Sequence, residues 1–313
     1  KRPISADTRR RIERAIAALG YQPHAGARAL ASARTSTIGL MAPLRSGVDV
    51  NVIMQFVSGI AAAARDHAYD VLLVTHGDES DLSRVTDGAM VDALVVMDVE
   101  ADDPRLDRLR RLRQPVVLIG LPVDTTGLSC VDLDFARAGT LAARHLLDLG
   151  HRSIALLGSP PEVVARHTSY ADRLGDGFAR AAESHGAQHV VIPVEASIAG
   201  AREVTARLLE PGSAVTGVVV HNEIALPHII AGLASAGRRI PQDLSLLAVG
   251  PENVALSLPQ PVTNIDLPAE HIGRLAVEMV LRALAGPETH GSEVRLLGPV
   301  LTDRASTAPP SAH

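Results

Sequence analysis

One cysteine, Cys130, stands in 313 residues, which excludes an internal disulfide and a thiolate metal cluster. Its thiol is expected as a small buried side chain. Lysine occurs only at position 1, so Schiff-base chemistry and P-loop phosphate binding are excluded from the body. Tryptophan is absent, and three tyrosines with three phenylalanines leave little surface on which a sugar or purine can stack. No apolar run approaches the roughly 20 residues of a membrane helix, and no charged-then-apolar leader precedes a cleavage site. A soluble, cytoplasmic protein with no membrane partner is expected. No GxSxG, HExxH or CxxC occurs, the thirteen histidines are scattered, and the GDG at 175–177 follows no strand. No cofactor, metal or catalytic constellation is implied, so an enzyme is not the expected reading.

What is present is a globular composition, 46% hydrophobic and 21% charged, in a chain long enough for two domains. Its net charge of −5 hides an asymmetry. Residues 1–38 carry eight basic and two acidic residues, while the remainder carries 22 and 33. A basic arm on an acidic body points to a polyanion at the N-terminal end. The chain begins at Lys1 rather than at a methionine, and is read as a piece of a longer protein.

From Thr37 onward, short apolar runs alternate with amphipathic ones. TIGLMA (37–42), DVLLVT (70–75), ALVVMD (93–98), PVVLIG (115–120), SIALLG (153–158), HVVIPV (189–194), GVVVH (217–221) and LSLLAVG (244–250) are continuous apolar runs without strict alternation. That pattern belongs to parallel strands buried on both faces. Helical periodicity between them gives a βαβα rhythm and a doubly wound α/β fold. Proline-rich breaks at 158–163 and 251–265 are read as crossings between two lobes, with a ligand cleft at the carboxyl ends of both sheets. The expected division is 1–22 a helical piece, 23–36 a linker, 37–158 plus 264–286 one lobe, and 159–263 plus 287–305 the other. The ASTAPPSAH tail after Arg304 is expected to be disordered.

The first helix is signalled by Ser5 as its cap, Asp7 in its first turn and Gly20 after Leu19. Ile12, Ala15, Ile16 and Leu19 share one face, which one helix cannot bury alone. The segment PHAGARALASARTSTI (23–38) is too apolar for a flexible linker and too short for a stable helix.

Taken in order, ISADTRRRIERAIAALGYQPHAGARALASARTSTIGLMAP, HLLDLGHRSIALLG (145–158), DRLGDGF (172–178), HNEIALPHIIAGLASAGRRIPQDLSLLAVG (221–250), PVTNIDLPAEHIGRLAVEMVLRALAG (261–286) and DRAST (303–307) resemble a LacI-type transcriptional regulator over essentially the whole chain. The resemblance implies a two-lobed, periplasmic-binding-protein-like core preceded by a DNA-binding headpiece. Residues 5–19 resemble the third headpiece helix, and the helix-turn-helix itself is absent from this chain. Residues 24–33 would be the hinge helix that enters the minor groove beside its dimer mate. Ala27 and its alternating alanines allow close backbone approach, and Gly26 weakens the helix by up to about 1 kcal/mol. Helix formation would therefore accompany binding. Leu30 falls at the wedge position that opens a base step, and Arg28 and Arg34 would meet phosphate. His24 stands where the family usually has asparagine.

For the cleft, the resemblance implies a small-molecule effector. Arg173 matches the ligand arginine, although one extra residue separates it from Gly177-Phe178. Asn222-Glu223 replaces the usual Asn-Asp pair, and Gly250 stands in place of an aspartate that grips ligand hydroxyls. Arg173, Asn222, His221, Asp134 and Asn51 are the expected contacts for a polar effector, anionic by preference because the arginine remains while the acidic partner is missing. The implied protein is a homodimeric repressor on a palindromic double-stranded operator. A degenerate cleft without effector, and an exported solute-binding protein with the same core, are the alternatives.

Overall fold

The computed structural model describes residues 5–19, 34–45, 47–77, 79–286 and 291–311. The first helix, α1 (Ala6–Leu19), starts at the expected cap, where the Thr8 amide donates to Ser5 Oγ at 3.2 Å. Its apolar stripe stays open, with Ile12 46% and Ile16 37% exposed. The hinge residues His24, Ala27, Arg28 and Leu30 lie outside the described residues. Arg34 is exposed at the point where the described chain resumes. Immediately after it, Asp92 clamps the backbone: its carboxylate accepts from the Thr35 amide at 2.7 Å and the Ser36 amide at 2.9 Å.

The body holds two sheets of the same winding. In the first, β1 (Thr37–Met41), β2 (Asp70–Val74), β3 (Ala93–Val96), β4 (Val116–Ile119), β5 (Ser129–Leu133) and β11 (Val294–Leu297) lie in the order β11-β5-β4-β3-β1-β2, all parallel. In the second, β6 (Ser153–Gly158), β7 (Gln188–Pro193), β8 (Gly217–Val220), β9 (Ser245–Gly250), β10 (Thr263–Asp266) and β12 (Leu301–Thr302) lie in the order β12-β10-β9-β8-β6-β7. Only β12 runs antiparallel among these described strands. The apolar runs fix this arrangement: Ile38 and Leu40 of β1 are fully buried between Val71 and Leu73 on one side and Ala93 and Val95 on the other.

Helices cover both sheets. In the first lobe α2 (Val50–Asp66) crosses α11 (Ala269–Ala285), while α3 (Glu79–Asp87) and α4 (Leu106–Arg110) cover the other face. In the second, α5 (Phe135–Asp148) crosses α7 (Ser169–Ser184), and α8 (Ile198–Leu208) packs on α9 (Leu226–Ser235). Short α6 (Pro161–Ala165) and α10 (Glu252–Leu256) follow β6 and β9. The α2/α11 and α5/α7 crossings are close because glycines face backbone. A Cβ on Gly59 would lie 2.0 Å from the Glu270 carbonyl oxygen, and one on Gly177 2.0 Å from that of Ala136.

The lobe boundaries differ from the expected ones. The chain passes to the second sheet between β5 and α5, returns between β10 and α11, and crosses again between β11 and β12. The proline-rich breaks are not crossings. Pro160 and Pro251 are N-caps, and Pro161 opens α6, because a missing N–H and a fixed φ suit a helix start. Strand β5, with Ser129 and Asp132 in its five residues, lacks the continuous apolar signal and escapes the sequence pattern.

The tail is ordered through Ser311, contrary to the expected disorder. Ser306 is fully buried, its hydroxyl donating to the Leu246 carbonyl at 2.6 Å and accepting from the Thr263 amide at 2.7 Å. Two ring nitrogens complete the strap: His151 Nε2 donates to the Ala308 carbonyl at 3.0 Å, and His145 Nε2 lies 2.8 Å from Thr307 Oγ1. A segment without apolar anchors is held here by polar groups on the second lobe, which composition does not reveal.

Candidate functional site

Both sheets place their switch points, β1/β3 and β6/β8, toward the same gap, and loops leaving the carboxyl ends of these strands line it. The result is a cavity of about 820 Å³, open mouth included, between the lobes.

The aromatic content of the wall is higher than the sequence composition implied. Phe56, Phe135 and Tyr170 all line it, half of the phenylalanines and tyrosines in the chain. Phe135, Tyr170 and the His221 ring form a triangle with centroids 5.5 to 5.7 Å apart. Total counts could not show that folding gathers scarce aromatics at one place.

The polar wall is acidic, with Asp49, Asp98, Asp132 and Glu223 all lining it. Three of these carboxyl groups are held by fixed partners. Asp49 caps α2, accepting from the Asn51 amide at 2.8 Å. Asp98, in the left-handed region at φ 56°, is gripped by Arg45 at 3.2 Å and by Arg166 of the second lobe at 2.9 Å. Asp132 pairs with Arg173 of α7. Burial pushes the Asp132 carboxyl up to about 6, although Arg173 and the Leu133 amide oppose the shift. Glu223 forms no pair with an arginine among the described residues. Burial raises its carboxyl above the usual range, His221 opposing and Asp49 adding to the rise. Burial, and the Glu223 charge after it, also push the Tyr170 hydroxyl up.

The expected contacts are distributed unevenly. His221 and Asn222 line the cavity. His221 Nδ1 donates to the Val249 carbonyl at 2.9 Å, so its Nε2 is the free ring nitrogen. The Asn222 amide is largely committed to the fold, donating to the Val194 carbonyl at 2.7 Å and accepting from the Ala225 amide at 3.0 Å. Arg173 lies behind the wall, its guanidinium bound to Asp132 and 5.6 Å from the Phe135 ring centre. Asp134 caps α5 through the Arg137 amide, and exposed Asn51 sits beyond Asp49; neither is among the lining residues. The preference for an anionic effector rested on Arg173 as a free cation, and the structure removes that basis. Asp98 and Asp132 were legible only through the rule that sites gather at strand ends, since no motif marks them.

The lobes are also tied beside the cavity. The Ser169 amide donates to the Val99 carbonyl at 3.0 Å and the Ala101 amide to that of His167 at 2.8 Å. His167, like Asp98, is a non-glycine residue in the left-handed region, φ 52°. Such conformations persist where surrounding contacts impose them.

Two wound lobes with a cleft at the carboxyl ends of both sheets define a fold of the periplasmic-binding-protein type. The periplasmic binding protein-like domain family matches residues 128–307. Among curated proteins, the chain is 28% identical to the HTH-type transcriptional regulator AglR of Rhizobium meliloti (strain 1021), over 98% of this chain and 87% of that protein. Among solved structures, a LacI family regulator from Bifidobacterium animalis subsp. lactis DSM 10140 superposes with TM-score 0.79 at 25% identity, covering 89% of this chain and all of that one. A LacI family regulator from Enterococcus faecium, solved with bound ribose, gives TM-score 0.74 at 25% identity over 88% of this chain and all of that one. The chain belongs to the LacI family of transcriptional regulators, built on a periplasmic-binding-protein-like domain.

Proposed function

We propose that this regulator is a homodimeric repressor whose DNA affinity is set by a neutral, hydroxyl-bearing effector of the sugar class, bound between the lobes. The observation that carries the reading is the wall of the cavity. Phe56, Phe135 and Tyr170 line it together with carboxyl groups, and the arginines nearby are already paired. Aromatic faces pack against the C–H faces of a sugar ring, and carboxyl groups accept from its hydroxyls. Among the described lining residues there is no arginine or lysine to receive an anion, and the nearby guanidinium groups of Arg166 and Arg173 are engaged by Asp98 and Asp132. The ribose-bound relative from Enterococcus faecium supports the same class.

Control follows from the geometry. A ligand touching both walls favours one relative setting of the lobes, and only that difference in affinity can shift the equilibrium. Asp92 fixes Thr35 and Ser36 to the first lobe, so motion of that lobe is passed to the hinge segment at 24–33. Arg34, with His24, Ala27, Arg28 and Leu30, would then meet the minor groove of a palindromic operator. Thermal shift of the full chain against neutral sugars, sugar phosphates and sugar acids tests the effector class. Stabilisation by neutral sugars is expected, and stabilisation by the anionic members alone would overturn it.

A further inference from the structure

Gly250 closes β9 at the rim of the cleft, and its backbone does not require glycine, because its φ is not in the left-handed region. What glycine leaves open at this position is space beside a neighbouring side chain. A Cβ at Gly250 would lie 3.0 Å from Glu223 Oε1, 3.4 Å from its Cγ and 3.6 Å from its Cδ. The side chain that takes the room is thus Glu223, which reaches across from the segment after β8. A narrow crevice is lined by both residues and by Val254 and Ala255 of α10, and Glu223 lines this crevice and the main cleft alike. The remaining acidic groups of the wall already have fixed partners: Asp49 the start of α2, Asp98 two arginines, Asp132 Arg173.

We propose that Glu223 and Gly250 act as one specificity unit: Glu223, seated in the volume that Gly250 leaves open, is the carboxyl group that accepts a hydroxyl of the effector. The proposal rests on the sugar-class reading of the cleft. It names which carboxyl group is spare, and why a residue on a neighbouring strand controls its position. The charged or titratable groups facing Glu223 are His221 at the end of β8, Asp49 from the first lobe and Tyr170 from α7. Burial first, and the Asp49 charge after it, disfavour a negative charge on Glu223 while His221 favours one, so the carboxyl group keeps its proton into a higher pH range than an exposed glutamate. A bound hydroxyl donor then favours the ionised form, and binding releases a proton.

The test uses the full chain and a double-mutant cycle over E223A, G250A and both together, with E223Q added. Calorimetric titration with ribose, cellobiose, glucosamine and gluconate identifies the sugar bound by the parent protein. For that sugar, E223A should weaken binding at least tenfold. G250A should weaken it severalfold when Glu223 is present and have no further effect in the E223A background. Equal effects of G250A in the two backgrounds, or parent-level affinity in E223A, overturn the proposal.

If none of the four binds, the sugar-class reading fails, and the ligand-free protein decides the seating of Glu223. The melting temperature of the parent, relative to E223Q, should fall as pH rises from about 4.5, because the unfolded chain gives up the proton first. G250A, by displacing the carboxyl group, should flatten that difference. A parent and an E223Q with parallel pH profiles overturn the seating.

Discussion

The two lobes share a winding order and a packing device, yet they present different chemistry to the cleft. Each sheet runs 2-1-3-4-5 in its local strand order, and each is closed by a helix pair brought together on glycines. Gly59 and Gly273 serve α2 and α11 in the first lobe, and Gly139 and Gly177 serve α5 and α7 in the second. The first lobe sends Asp49, Asp98 and Asp132 to the cavity, whereas the second sends His221, Asn222 and Glu223. Of these carboxyl groups, Asp98 and Asp132 are met by Arg166 and Arg173, both from the opposite lobe. Equal scaffolds thus carry unequal walls: one side's carboxyl groups are tied to arginines of the opposite lobe, and Glu223 on the other side has no arginine partner among the described residues.

The largest expected effect comes from breaking the deepest of these ties. Arg173→Met leaves the buried Asp132 without its cation and should cost about 3–5 kcal/mol in urea denaturation. The pH dependence sharpens the assignment. With its folded value near 6, Asp132 retains a proton that the unfolded chain loses from about pH 4. Its contribution to stability therefore declines as pH rises from about 4 to 6 and is level above that. Without Arg173 the decline should continue past pH 6, and a variant that stays level there would show that the pair does not set the charge of Asp132.

An intermediate effect tests whether the scaffolds are equivalent. Gly59→Ala and Gly177→Ala each force a Cβ to within 2.0 Å of a carbonyl oxygen, so both should destabilise by about 1–3 kcal/mol in thermal melts. A loss in only one of them would break the likeness of the two helix crossings. The smallest effect is expected at the rim. The Arg45 side chain is 39% exposed and meets Asp98 and Glu100 at 3.2 and 3.9 Å, so Arg45→Ala should cost under about 1 kcal/mol. A loss of several kcal/mol would move the main tie from Asp132 to the rim.

How much of this was legible varied with the kind of signal. Strands such as TIGLM and ALVV were readable because burial on both faces demands continuous apolar residues. The cap at Ser5 was readable because capping is local. Strand β5 was not, since Ser129 and Asp132 interrupt its pattern for the sake of the site. The family resemblance points to His221 and Asn222 as expected contacts, while Asp98, Tyr170 and Phe135 carry no local mark of their place in the cavity.

By itself, then, the sequence determined the alternating α/β architecture, the basic arm and the family, because these rest on composition, periodicity and ordered motifs within short windows. Tertiary structure alone decided where the chain changes lobes, that the Ala-Ser-Pro tail is strapped down, and that scarce aromatics converge on the cleft. It also decided which charges are spent: Arg173 looked available until Asp132, 41 residues earlier, was seen to occupy it. Ion pairing and the space beside Gly250 depend on distances between segments far apart in the chain, and such distances exist only once it has folded.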